Sequence, residues 1–245
     1  MTQISYPNAP VPVRDDIPAA EQRAWDRLAR AGTWWTGGER VAIAAEARNA
    51  RDCALCRERK QALTPSAVSG EHDHLGPLPA AAVDAIHHLV TDSGRLSRGW
   101  YEEKLAQGLS DGQYVEIIGV ITTVQSIDYF CRGLGVPLHP LPEPVAGEPS
   151  RYRPASAELE EAYVPMIRSD RASGAEAELF GGGRTGNVIR AMSLVPDEVR
   201  NMKDLSSKHY LPIEDVGNPT VGRALTRDQI ELVAGRVSAL NECYY

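Results

Sequence analysis

Apolar residues recur every three to four positions along most of the chain, the period of amphipathic helices rather than of strands. The pattern predicts a helix from Ala19 to about Ala31, with Trp25 and Leu28 on one face. Thr36 is a candidate N-cap for a second, running from Gly38 to about Leu63. That stretch, GERVAIAAEARNARDCALCRERKQAL, is alanine-rich and lacks proline and internal glycine. A seven-residue step on a helix returns to nearly the same face, so Glu39, Glu46, Cys53 and Lys60 form one stripe, which Cys56 joins. A loop follows over Thr64–Pro79, then helices over Ala80–Thr91 and roughly Ser97–Gln107. Ser110 and Gln113 have capping-box spacing and open a long helix in which Val115, Ile118, Ile121 and Val124 keep helical spacing. Its middle is rich enough in β-branched residues to read as a buried strand; the cap, the length and the glycines at 133 and 135 favour a helix.

Prolines divide the chain. Residues 1–18 carry Pro7, Pro10, Pro12 and Pro18 and read as an extended arm, and 19–134 form a first helical unit. Residues 135–156 hold six prolines and read as a semi-rigid linker. A second unit is expected over 157–245: a helix near Ala157, a flexible turn in ELFGGGRTGN, helices over Asn187–Leu194 and Pro196–Lys208, and a final pattern marked by Leu225, Ile230, Val233 and Val237.

Composition changes this picture little. A hydrophobic content of 42% and a charged content of 24% are those of an ordinary globular domain, and the low aromatic share, 6%, favours an all-α fold. A net charge of −7 argues against a nucleic-acid partner. No run approaches the ~18 apolar residues of a transmembrane helix, and the N-terminus lacks a charged-then-apolar signal pattern. A cytoplasmic protein without a membrane partner is expected, and in a reducing compartment its four cysteines do not read as a disulfide framework.

The chemistry concentrates at Cys53-Ala-Leu-Cys56. Three readings fit the pair. Reversible dithiol chemistry would draw on the positive potential of Arg51, Arg57, Arg59 and Lys60, with Glu46 as a proton relay. A zinc, iron or copper site would recruit His72 and His74 from the following loop, and Glu116 from the long helix. Two small cysteines packing in an alanine-rich helix of a non-catalytic oligomerisation scaffold is the third. His87 and His88 are adjacent and point about 100° apart on a helix, so at most one faces any given site.

A helix ending in C-x-x-C, then short helices and an S-D-x-x-x-V-E helix, resembles the alkylhydroperoxidase D / carboxymuconolactone decarboxylase family. The residues are WTGGERVAIAAEARNARDCALC and GLSDGQYVEIIGVITTVQSIDYFCRGLGVPLHP, with NVIRAMSLVPDEVRNM and LTRDQIELVAGRVSALNECYY resembling a second copy. The resemblance implies an all-α helical bundle of two related units, the second incomplete, in a homo-oligomer. It implies a peroxidase-related oxidoreductase with no organic cofactor, acting on a small-molecule peroxide or oxidant with a thiol electron donor. Peroxidase members use a glutamate, the cysteine pair and a histidine four residues after it. By that pattern Cys56 attacks the peroxide, Cys53 resolves, and Glu46 and Lys60 handle protons. Lys60 stands at the histidine position, and Val41, not a glutamate, stands twelve residues before Cys53. In the second unit Glu231 stands twelve before Cys243, and the pattern stops before a second cysteine. Some family members use selenocysteine in this motif, so a UGA codon after Tyr245 is one expectation.

Overall fold

The computed structural model describes residues 3–180, 186–212 and 215–241. The chain is mostly helical, and the first half follows its apolar periodicity except that the helix expected over Gly38–Leu63 is broken before Ala54. Helices α1 (Asp16–Leu28), α2 (Gly37–Asn49), α3 (Ala54–Gln61), α4 (Ala80–Thr91), α5 (Arg98–Ala106) and α6 (Asp111–Leu134) come in that order. Thr36 and Glu39 cap α2 reciprocally, and Ser110 and Gln113 do the same for α6. Each pair satisfies two backbone N–H groups that a helix start leaves without partners.

Helix α6 is the hub, packing against α2, α4 and a later helix, α8 (Pro196–His209). Val115, Ile117, Val120, Val124 and Ile127 of α6 are buried. The strand alternative for this segment loses because the capping box starts a helix and Gly135, at φ 68°, ends it in the left-handed conformation. Close packing also decides Gly112. A Cβ there would lie 2.3 Å from the Trp34 ring.

The proline-rich stretch does run extended, but along the surface of the first helices. Val145 and Ser150 N–H groups donate to the carbonyls of Ala29 and Gly32, and Trp25 Nε1 donates to the Pro140 carbonyl. The N-terminal arm is also anchored: Ile4 is buried and the Tyr6 hydroxyl donates to Glu21 at 2.6 Å.

Beyond the linker the helix expected near Ala157 is replaced by a two-stranded antiparallel sheet, β1 (Ala157–Leu159) and β2 (Pro165–Ile167), in the register Ala157↔Ile167. Tertiary burial overrides helix propensity here: β2 seats Met166 and Ile167 in the core, and the Ile167 N–H donates to Ser193 Oγ. A short helix, α7 (Asn187–Arg190), precedes α8, and α9 (Arg227–Leu240) follows. Helix α8 packs on α1 and α6, and Val199 and Leu205 join the same hydrophobic cluster as Trp25, Ile43 and Ile117. Arg23 and Arg27 of α1 pair with Asp204 of α8. Among the described residues no helix is long and apolar enough to cross a membrane.

Candidate functional site

The site is made by a break in the helix that the sequence pattern treats as continuous. After α2 the chain makes a 3-10 turn, Ala50–Asp52, and Cys53 is extended (φ −64°, ψ 126°) before α3 begins. Asp73, on the following loop, accepts the Ala54 N–H at 3.0 Å and so caps the new helix from outside. Both thiols thereby come to the N-terminal end of α3, and the Cys56 N–H is directed at the Cys53 sulfur. The seven-residue stripe does not survive the break. Glu39 is held in the cap of α2, and Lys60 Nζ donates to the Thr91 carbonyl at 2.9 Å. Neither is at the thiols.

Two imidazoles take their place. His72, from the loop, sets Nδ1 3.6 Å from Cys53 Sγ and 3.5 Å from Cys56 Sγ. His87, fully buried on α4, sets Nδ1 3.2 Å from Cys56 Sγ. The four ligand atoms lie within 4.8 Å of one another. Each imidazole is oriented by a carboxylate behind it. His87 Nε2 donates to Glu46 Oε1 at 2.8 Å and His72 Nε2 donates to Asp84 Oδ1 at 2.9 Å. Glu46 also accepts the Leu75 N–H at 2.9 Å, which ties down the loop carrying His72. Asp84 is a second hub, paired with Lys104 at 2.8 Å and Arg59 at 3.0 Å.

Electrostatics divide the two histidines. Burial, together with the nearby His72 cation, holds the His87 imidazole below its ordinary range despite Glu46. It is therefore neutral, with its proton on Nε2 and a lone pair on Nδ1 facing Cys56. Burial also opposes charge on His72, but Asp84 and the two sulfurs outweigh it and push this imidazole up to about 10. Burial raises the Cys53 thiol, yet the Cys56 N–H, His72 and the Asp73 N–H together bring it below the usual thiol range. Burial likewise acts against the Asp84 carboxylate, and His72, Lys104 and Arg59 hold it well below its ordinary value.

The thiols are enclosed. Cys53 is fully buried, and Cys56 borders a cavity of only about 10 Å³ shared with Arg59, His72 and His88, room for about one water. Outside His72 lies an open cleft of about 580 Å³, bordered by His74, Asp84, Lys104 and Gln107. His72 stands between that cleft and the sulfurs.

Of the sequence candidates, Cys53, Cys56, Glu46 and His72 come together here. His74 is exposed and outside the four-ligand cluster. Glu116 lies in a different buried cluster, where it meets Arg40 and accepts the Trp34 N–H at 2.6 Å; Arg40 also pairs with Glu198 at 2.7 Å. Glu231 is exposed on α9 and bonds Tyr210 and Arg227, and Cys243 lies outside the described residues. Periodicity left His87 and Asp84 unassigned. Their signal is the spacing D-x-x-H on one face of α4, with the histidine inside a run of buried alanines and Ile86. Comparison of the chain with family models, curated proteins and solved structures finds no match.

Proposed function

We propose that this protein is a thiol-dependent oxidoreductase that reduces a hydroperoxide or related oxidant with Cys53 and Cys56, on a two-unit scaffold of the alkylhydroperoxidase D type. The observation that carries this is the line Glu46–His87–Cys56, with steps of 2.8 and 3.2 Å. The carboxylate fixes the tautomer that leaves Nδ1 free to take the Cys56 proton. His87 thus supplies from α4 what the resemblance places four residues after the cysteine pair, where Lys60 stands. Two units are supported by a repeated spacing: Thr36 with Glu39, and Thr226 with Gln229, form capping boxes whose first residue stands seventeen before Cys53 and Cys243 respectively.

The chemistry balances without a cofactor. The Cys56 thiolate attacks the terminal peroxide oxygen, the O–O bond breaks, and the alkoxide leaves with the proton held on His87. Cys53 then attacks the resulting sulfenic sulfur; the S–O bond breaks, water departs with the second thiol proton, and a Cys53–Cys56 disulfide forms. Two electrons pass from dithiol to peroxide, and an external thiol donor restores the pair.

The test is peroxide consumption and thiol state measured together. Cys56→Ser abolishes turnover. Cys53→Ser stops at a sulfenic acid that a cyclic diketone traps. Glu46→Gln slows the oxidation step by roughly 10²-fold or more. A Cys56→Ser protein that consumes peroxide at the full rate rules the function out.

A further inference from the structure

We infer that the reduced site binds one zinc ion through Cys53, Cys56, His72 and His87, and that the ion masks the thiols until an oxidant reaches them. The inference of masking rests on the thiol chemistry above; the binding itself rests on the donor set alone.

Three of the six ligand–ligand edges are close to those of a metal shell, and all four donor atoms lie within 4.8 Å of one another. Zinc bonds of about 2.3 Å to sulfur and 2.0–2.1 Å to nitrogen give tetrahedral ligand–ligand edges of about 3.3–3.8 Å. The sulfur–nitrogen separations here are 3.6, 3.5 and 3.2 Å. Two thiolates with two imidazoles are a donor set suited to zinc. Both rings present the same atom, Nδ1, and each anchors its other nitrogen on a buried or half-buried carboxylate, the usual support for a ligating histidine. A proton relay to Cys56 requires only His87 and Glu46. The second ring–carboxylate pair, His72 with Asp84, has no task in that relay and supplies a fourth donor atom.

Charge also closes. A divalent ion with two thiolates is neutral, and the Asp84 carboxylate behind His72 is paired with Arg59 and Lys104. The ion would replace the His72 proton and the thiol protons. All four positions are then filled by protein, which describes a closed site rather than a catalytic zinc with an open position. Oxidation removes both sulfur ligands at once: the zinc dithiolate, one hydroperoxide and two protons give the disulfide, the free ion, an alcohol and water.

The full chain, purified reduced, is dialysed against zinc and its metal content measured, with cobalt(II) as a spectroscopic probe. About one zinc per chain is expected, with the visible bands of tetrahedral cobalt thiolate. Both are lost in Cys53→Ser and in His72→Gln, a loop substitution whose fold circular dichroism verifies. Asp84→Asn weakens zinc affinity by about 10–100-fold. A folded, reduced protein that takes up no zinc, or that keeps it in His72→Gln, overturns the site. Peroxide added to the zinc form is expected to release the ion as the disulfide forms. Disulfide formation in a protein that never bound zinc leaves the oxidoreductase and removes the zinc. Zinc binding by a protein whose chelated form does not react with peroxide removes the oxidoreductase, and the masking role with it.

Discussion

Helices α2 and α9 start alike and end in different surroundings. Each opens with a threonine capping box, and counting from the cap places Arg40 opposite Ile230, Ile43 opposite Val233, and Glu46 opposite Arg236. Helix α2 lies against α4 and α6 with Ile43 fully buried. Helix α9 has no buried residue, and Val233 is 56% exposed. The same local signals thus produce a helix in both places, while burial depends on what the rest of the chain brings alongside. The chemistry follows the burial. Only in α2 does the inward face carry an ionised group, Glu46, against a partner from another helix, His87.

Matched substitutions test this contrast most sharply at the buried cation. Arg40→Leu leaves Glu116 and Glu198 facing one another without their counter-ion, and a loss of about 3–5 kcal/mol is expected in urea unfolding. Ile230→Leu at the corresponding place is expected to change stability by less than about 0.5 kcal/mol. Next, Ile43→Ala empties a fully buried site and should cost about 2–5 kcal/mol, whereas Val233→Ala should stay within about 0.5 kcal/mol. Equal losses at the two positions would mean that α9 is covered in solution and would break the comparison.

The buried carboxylates that meet Arg40 of α2, Glu116 on α6 and Glu198 on α8, add a pH dependence. Burial pushes Glu116 up to about 6, Arg40 opposes this, and Glu198 adds to it. Because the folded value exceeds the ordinary one of 4.5, the native state holds the extra proton between about pH 4.5 and 6. The resulting stabilisation is full below pH 4.5 and is lost as pH rises through 6, a change of about 2 kcal/mol. Glu116→Gln should flatten unfolding free energy across that window. The smallest effect is at the caps. Thr36→Ala should lower global stability by about 1 kcal/mol, and Thr226→Ala should speed hydrogen exchange in α9 without moving the global transition.

Legibility tracked the range of the interactions involved. Helix α4 has the ends its pattern predicts, and α6 begins at its capping box and ends at a left-handed glycine, because those signals act within a turn or two. The Cys53 break was hidden. Nothing within Gly38–Leu63 is a helix breaker, and the cap of α3 comes from Asp73, twenty residues further along. The sheet at Ala157–Ile167 was hidden for a similar reason, since its partner strand and Ser193 decide it.

By itself, then, the sequence determined that this is a chiefly helical protein, that Thr36 and Ser110 open helices, and that its densest chemistry lies at Cys53 and Cys56. Local hydrogen bonding and apolar period suffice for that. Which groups meet the thiols was decided only by tertiary structure. Packing of α2 on α4 carries Glu46 to His87 across forty-one residues of chain, and the Leu75 N–H on Glu46 seats the loop that brings His72. Lys60, on the same predicted stripe, is turned to the Thr91 carbonyl instead. A helical period specifies faces along one element, and a site assembled from three elements and a loop is specified by the contacts that close the chain between them.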